Sequence, residues 1–252
     1  MIITRIAHLL LVPFLLVAPA HAAATLTHRY EFAGNINDSF RAADAIDGAK
    51  AAVTYDAARP AGASGPVASV RIGQAAGEVS GFTIPGSVLS ASGSLGFWFK
   101  ADRAEAGEGA DYLVNMDGTY NKGFRFAIAA GKSRLEANVA DTNTQLGNIV
   151  ANTWHHIAMT WDSVAKTADL YFDGALVKTK TWNDADRFSP SAMRVGNWAL
   201  SPKYLNNQFN GSIYDFQIYS GRLDAAEVKL LHSTPGAVLG SAPAPGLQSV
   251  GG

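Results

Sequence analysis

Short runs in which apolar and polar residues alternate dominate the middle of the chain. Alternation at every second position is typical of β-strands with one buried face. Asp173-Gly174 divides one of these runs and is the strongest local signal for a hairpin turn. In the run 154–161, Ile157, Met159 and Trp161 share a face, which leaves His156 on the opposite one. The clearest runs are residues 94–100, 123–128, 134–139, 154–161, 168–178 and 212–219. Alternation in these runs predicts outward positions for Arg125 and Asn138 and shared faces for Leu95, Phe97 and Phe99, for Phe124, Phe126 and Ile128, and for Tyr214, Phe216 and Ile218.

One segment near the end has a helical pattern instead. Asp224 and Glu227 have the spacing of a capping box, and Leu223, Val228 and Leu231 supply apolar contacts on one side. We therefore predict one short C-terminal helix after the last strand. Many strands with so little helix predict an all-β fold, namely a two-sheet antiparallel β-sandwich.

Composition excludes several classes of protein. The 252 residues include no cysteine, so disulfides, cysteine zinc sites and thiol nucleophiles are excluded. With 48% hydrophobic and 16% charged residues, the chain is too apolar for global disorder. The net charge of −1 provides no attraction to polyanions. We predict neither nucleic-acid binding nor membrane insertion.

The two ends of the chain differ from the middle. The apolar run at 6–17 is shorter than the ~20 residues that span a bilayer, and Ala20-His21-Ala22 follows it as a small-x-small cleavage pattern. We predict a secretory signal peptide at 1–22 and a secreted, periplasmic or otherwise extracellular protein. Residues 233–252 carry no charge and no aromatic residue, which predicts a flexible tail. The folded domain is predicted at 23–232.

The motifs of the central region resemble those of laminin G-like domains, which belong to the concanavalin A-like jelly rolls. The resemblance implies two antiparallel sheets with ligand-binding loops at one rim. Because this fold hosts lectin-like modules, adhesion domains, glycosidases and lyases, it does not decide the function. The residues that carry the resemblance are 154–162 with 170–174, 97–100, 209–219, 222–224, 227–228 and, more loosely, 30–32 with 38–39.

The resemblance also implies a calcium ion that ties the N-terminal acidic turn to the final strand. The matching positions here are Asp38 and Asp215, whose carboxylates suit a hard cation. The sequence departs from the family after Asp38, where Arg41 stands within an expected glycine-rich turn and could neutralise the carboxylate instead. In the alternative interpretation, Asp38 caps a turn and Asp215 faces solvent.

Catalysis has weaker support. The glucanase pattern Glu-x-Asp-x-x-Glu is absent, and Glu136 has no second acid two residues away, which disfavours hydrolysis by a carboxylate pair. A polysaccharide lyase needs a base, an acid and a cation. His156, Tyr171 and Arg125 would supply them if their strands met in one groove.

Binding without turnover is the first hypothesis. Rings in turn-rich stretches can stack on sugars, although Trp182 and Trp198 could equally cover the edges of the sandwich. We predict an exported, non-catalytic module for extracellular carbohydrate, a surface glycoconjugate or a glycoprotein. The alternatives are a polysaccharide lyase or another carbohydrate-active enzyme on the same fold, and a structural or adhesion protein of the cell surface. Convergence of Arg125, His156 and Tyr171 would favour the lyase, and scattered or buried positions would favour binding. The aromatic candidates are Tyr120, Trp182, Trp198 and Tyr204, and the candidate ligand-binding residues are Arg125, Glu136, Asn138, His156 and Trp198.

Overall fold

The computed structural model describes residues 23–40, 42–47, 52–73, 79–116, 123–140, 142–183, 191–199 and 206–240. The predicted signal peptide lies outside these residues. The strands of the described part are, in chain order, β1 (Thr25–Tyr30), β2 (Ile46–Asp47), β3 (Thr54–Asp56), β4 (Ser69–Ile72), β5 (Phe82–Ile84), β6 (Ser92–Ala101), β7 (Asp111–Met116), β8 (Phe124–Ile128), β9 (Arg134–Val139), β10 (Thr142–Asn148), β11 (Trp154–Asp162), β12 (Thr167–Phe172), β13 (Ala175–Thr181), β14 (Met193–Val195) and β15 (Gly211–Ser220). A 3-10 turn at Gly86–Val88 follows β5, and helix α1 (Ala225–Ser233) follows β15.

These strands form two antiparallel sheets packed face to face. Sheet A has the order β13-β12-β11-β6-β15-β4-β3, with β1 also paired to β15, and sheet B has the order β10-β9-β8-β7-β14-β5-β2. In sheet B, the consecutive strands β7, β8 and β9 are neighbours. In sheet A, β6 lies between β11 and β15, two strands that come much later in the sequence. The predicted all-β jelly-roll sandwich with one short C-terminal helix is confirmed.

The core lies between the sheets and is built from the predicted inward positions. Phe97 of sheet A stacks on Phe216 with ring centroids 4.9 Å apart and meets Phe126 of sheet B edge to face at 6.1 Å. Asp173 and Gly174 both have positive φ, as a tight hairpin turn between β12 and β13 requires. Alternation in β6, β8, β11 and β12 thus gave the correct buried face.

The closing strand β15 departs from simple alternation. Asp215 has a φ of 52° and lies at an irregularity between Tyr214 and Gln217, where the pairing of β15 changes from β4 to β1. The extra residue turns Tyr214 to the outer face, while Ile213 and Phe216 both point into the core. The expectation that Tyr214 and Phe216 share a face is therefore wrong.

Helix α1 packs on the outer face of sheet A. Asp224 and Glu227 form the predicted capping box, since each side chain accepts a hydrogen bond from the other residue's backbone N–H. In the described part of the chain, no helix has the length and apolarity to cross a membrane. The apolar cluster beneath α1 contains Ala24, Leu26, Ala158, Tyr171, Tyr219, Leu223, Val228 and Leu231.

The segment after α1 continues across the same face. The carbonyl of Gly240 accepts a hydrogen bond from the backbone N–H of Leu26, and the carbonyl of Ala237 accepts one from the side chain of Gln217. Leu239 packs against the apolar cluster under the helix. Residues 234–240, which the sequence analysis assigned to a flexible tail, are therefore docked on the domain, and residues 241–252 lie outside the described part.

Candidate ligand-binding site

The outer face of sheet B carries a row of polar side chains. Side chains alternate between the two faces of a strand, so the residues flanked by core positions on β7, β8, β9 and β14 point outward. Paired positions on neighbouring strands then bring these outward residues side by side. The row consists of Asn143, Asn138, Arg125, Asn115 and Arg194 on β10, β9, β8, β7 and β14.

Trp198 reaches this row because the chain turns sharply after β14. Gly196 has a φ of 98°, and a Cβ there would lie 2.7 Å from a methyl group of Ile72, so only glycine fits the position. The buried side-chain oxygen of Asn197 accepts a 3.0 Å hydrogen bond from the backbone N–H of Ala199, and this bond closes the turn. The glycine and the bond from Asn197 thus direct Trp198 back over sheet B.

The half-buried indole of Trp198 lies among outward residues of β7 and β8. Its ring centroid is 5.0 Å from that of Tyr112, and the guanidinium carbon of Arg125 lies 5.8 Å from the indole centroid. The side-chain amide of Asn115 donates a 2.8 Å hydrogen bond to the carbonyl of Trp198. We call Tyr112, Asn115, Arg125, Glu136, Asn138 and Trp198 the sheet B platform.

Polar contacts hold the other platform residues in place. The amide of Asn138 donates to the side-chain oxygen of Asn143 at 2.8 Å, and Nε of Arg134 donates to Glu136 at 2.8 Å. Planar amides and carboxylates offer donors and acceptors at fixed positions, and an indole offers an apolar face. The amides of Asn115 and Asn138 are themselves buried, so the accessible groups are those of Tyr112, Arg125, Glu136 and Trp198. These can bind a molecule with an apolar face and hydroxyl groups at its rim.

Arg125, Glu136, Asn138 and Trp198, four of the predicted ligand-binding residues, therefore lie on one face. The fifth does not: His156 is outward on sheet A, on the far side of the sandwich, and only 2% of it is exposed. It packs between Trp98, whose ring centroid is 5.1 Å away, and His232 of α1 at 6.0 Å. In this structure, His156 is inaccessible to a ligand.

The predicted lyase trio is not assembled. Tyr171 also belongs to the outer face of sheet A, where α1 buries it, whereas Arg125 belongs to the outer face of sheet B. Burial, with a smaller contribution from His232, lowers the pKa of His156 to about 3. The base, acid and cation of the hypothesis therefore lie on opposite faces, and this correction follows from the assignment of β8 and β11 to different sheets.

Sequence reasoning missed Tyr112 and Asn115. Pairing of β7 with β8 shifts between Tyr112 and Val114, so that strict alternation fails along β7. The signal that was available is the apolar run 113–114, with a polar residue on each side. Of the other aromatic candidates, Trp182 is buried in the core, and Tyr120 and Tyr204 lie outside the described residues.

The predicted calcium ligands do not present a cation site. Both oxygens of Asp38 and both oxygens of Asp215 accept hydrogen bonds from protein donors. Among the residues that the structure describes, no cluster of three or more His, Asp or Glu side chains is arranged to hold a metal ion. The residues present therefore do not fit the calcium ion that the resemblance implies. Calcium binding itself stays a prediction of that resemblance.

Sequence comparison places the chain in a family. The sequence profile of the concanavalin A-like lectin/glucanases superfamily (Laminin_G_3) matches residues 76–229, more than half of the chain. The chain therefore belongs to this superfamily, and the predicted family is confirmed. No curated protein sequence matches it.

Solved structures share the fold at low sequence identity. Domain 4 of AbnA, a GH43 extracellular arabinanase from Geobacillus stearothermophilus solved in complex with arabinotriose, has a TM-score of 0.62 and 18% identity, and the match covers 84% of this chain and 100% of that domain. The binding domain of botulinum neurotoxin DC, solved in complex with SialylT, has a TM-score of 0.60 and 13% identity over 84% of this chain. This chain spans about half of the neurotoxin domain, 51%.

Proposed function

We propose that the protein is a non-catalytic carbohydrate-binding module and that it binds glycan on the sheet B platform. One observation carries the proposal: the half-exposed indole of Trp198 lies beside the ring of Tyr112 and the guanidinium of Arg125, and Asn115 bonds to its backbone carbonyl. A pyranose or furanose ring has an apolar face that stacks on an aromatic ring, and its hydroxyl groups bond to planar polar side chains at the edge.

The structural neighbours support the same class of ligand to different degrees. The match to AbnA domain 4 covers that whole domain, which was solved with a trisaccharide. The neurotoxin matches cover only about half of each binding domain, 51%, so they do not identify the half that meets the glycan. Arabino-oligosaccharide is therefore the first probe, before a wider glycan array.

Replacing Trp198 with alanine is expected to weaken glycan binding about 30-fold. Loss of a central aromatic contact in an interface costs about 2 kcal/mol, and each 1.4 kcal/mol is roughly tenfold in affinity. The measurement is isothermal titration of the purified domain with arabinotriose and soluble arabinan, followed by the best ligand of the array.

Trp154→Ala is the matched control for this experiment. Trp154 is also a half-buried tryptophan, but it lies outward on sheet A, with Lys100 over its ring at 5.3 Å. Its loss should leave the glycan affinity unchanged. Equal weakening by both substitutions, or binding that survives Trp198→Ala, would contradict a site on the sheet B platform.

An absorbance assay and the same titrations separate the other two hypotheses. A rise in ultraviolet absorbance from unsaturated uronate, on incubation with uronate polymers, would support a lyase. Absence of glycan binding in every titration, with intact fold, would favour a structural or adhesion role. Neither alternative has a described cluster of residues in its favour.

We further propose that the module acts outside the cytoplasm, on the basis of the segment 1–22. Cleavage after Ala22 predicts that the exported protein begins at Ala23. Mass spectrometry of the protein recovered from the medium or periplasm of producing cells checks this expectation. Recovery of the protein only in the cytoplasm, with Met1 retained, would contradict it.

A further inference from the structure

The two aspartates expected to share a calcium ion instead share one residue, Arg29 of β1. The backbone N–H of Arg29 donates to Asp38 at 3.0 Å, and Nε of its side chain donates to Asp215 at 2.7 Å. Arg29 therefore connects the N-terminal turn to the closing strand through a backbone bond on one side and an ion pair on the other.

Asp38 has no oxygen left for a metal ion. Its side chain is fully buried, and its oxygens accept hydrogen bonds at the start of a tight turn, as an aspartate cap does. A carboxylate with this many protein donors has its hydrogen-bonding capacity satisfied without any cation. The donors are the backbone N–H groups of Arg29, Phe40, Ala42 and Ala43 and Nδ1 of His28, at 2.8–3.3 Å.

Asp215 is held in the same way from the other strand. Its second oxygen accepts a 2.7 Å hydrogen bond from the amide of Gln217, and only 3% of the residue is exposed. Burial raises the pKa of Asp215, and the ion pair with Arg29 opposes that shift. The charge on this carboxylate therefore depends on the guanidinium beside it.

The rest of the guanidinium reaches two further groups. One terminal nitrogen lies 3.1 Å from Glu31, and the other donates to the carbonyl of Gly236 at 3.0 Å. The planar fork of arginine suits such simultaneous contacts, which a lysine ammonium cannot reproduce. A single side chain thus ties β1, the irregularity in β15 and the segment that follows α1.

We infer that the guanidinium of Arg29 takes the structural place that the family resemblance gives to calcium. The N-terminal turn, the closing strand and the docked C-terminal segment are then fastened without a metal ion. The stability of the domain is independent of calcium and dependent on Arg29.

The first test compares thermal melting of the purified domain with EDTA and with calcium at about 5 mM, above the Kd range of extracellular calcium modules. The melting temperature is expected to be the same in both, and a calcium titration by calorimetry should show no binding. Calcium at about 5 mM is in about 5- to 50-fold excess over a Kd in that range, and its binding would raise the melting temperature by about 2–9 °C. A shift of that size would overturn the inference.

The second test removes the guanidinium. Arg29→Met leaves a buried carboxylate uncompensated and should lower the melting temperature by about 6–20 °C. Adding Asp215→Asn removes the stranded charge and should recover most of that loss. If Arg29→Met does not fold, the calcium comparison on the unmodified domain still tests the independence from calcium, and recovery of folding by the added Asp215→Asn tests the role of Arg29.

Arg71→Met is the matched control. Arg71 is also an outward arginine of sheet A, and it pairs with Asp102 at 2.8 Å, but 38% of the Asp102 side chain is exposed. An exposed ion pair contributes little, so the melting temperature should fall by no more than about 4 °C. Equal losses for Arg29→Met and Arg71→Met would overturn the special role of Arg29.

Discussion

Lowering the pH from 7 to 5 is expected to destabilise the domain by about 2 kcal/mol through His156 alone. In the unfolded chain, a histidine has a pKa of about 6.5. In the folded domain, the pKa of His156 is lowered to about 3. The main cause is burial under helix α1 and the segment after it, which together form the C-terminal cover; His232 adds a smaller contribution and Asp173 opposes the shift. Between these two values, the unfolded chain binds a proton that the folded domain excludes. The free energy of unfolding therefore falls as the pH falls, by about 1.4 kcal/mol per pH unit, until the folded pKa is reached.

The environment of His156 explains why it stays neutral. Its Nδ1 is buried and has no hydrogen-bond partner among the residues that the structure describes. The ring lines a small, partly open space together with Asp215, Gln217 and Gly236. The docked segment after α1 forms one wall of that space. Protonation would thus place a charge under the C-terminal cover, beside the ring of His232.

Denaturant unfolding of the unmodified domain and of His156→Gln between about pH 7 and pH 4 measures this effect. The variant has no ionisable group there, so its stability should change much less across the range. His232→Gln is the control, because it leaves His156 buried and should keep most of the slope. Asp173 changes the pH dependence of stability only below this range. Burial raises its pKa, but hydrogen bonds from His155 and His156 outweigh burial and lower the pKa below its ordinary value. Parallel curves for the unmodified domain and His156→Gln would contradict the assignment to His156.

Alternation predicted the fold well because it reports which side of a strand meets the core. It placed Phe97, Phe126 and Ile157 correctly, and the Asp173-Gly174 turn followed from local backbone chemistry alone. It failed at Asp215, because an extra residue in one strand reverses the faces beyond it and nothing in the local pattern marks the position. That reversal sets Asp215 against Arg29, which the sequence did not predict.

Part of the candidate site followed from the same reasoning. Arg125 and Asn138 were predicted outward, and they are paired neighbours on β8 and β9. The sequence could not assign each strand to a sheet, and for that reason it combined Arg125 with His156, which lies on the other side of the sandwich. It also could not predict that α1 and the segment after it would cover His156, because that depends on where the chain packs after β15.

Replacing Trp161 with alanine is expected to cost about 3–5 kcal/mol of unfolding free energy, the range for large aromatic residues in a core. Trp161 of β11 is completely buried, and its ring lies 6.4 Å from that of Phe124 in the opposite sheet. Its indole Nε1 donates a 2.9 Å hydrogen bond to the carbonyl of Ser90, just before β6. A Cβ at Gly93 of the neighbouring strand β6 would lie 2.5 Å from the indole, so a glycine is needed there to leave room for the ring. Truncation therefore removes contacts to both sheets and leaves a cavity that the backbone cannot easily fill.

Urea unfolding at neutral pH measures this loss against two other variants. Trp161→Phe keeps a ring but loses the bond to Ser90 and should cost roughly 1–3 kcal/mol. Trp154→Ala, which truncates a half-buried tryptophan on the outer face of the same strand, should cost less than Trp161→Ala because water can fill the space it leaves. Since total stabilities are about 5–15 kcal/mol, Trp161→Ala could abolish folding, and the Trp161→Phe variant then supplies the measurement. Equal losses for Trp161→Ala and Trp154→Ala would contradict the position of Trp161 between the two sheets, because only a residue enclosed on both sides leaves an unfilled cavity.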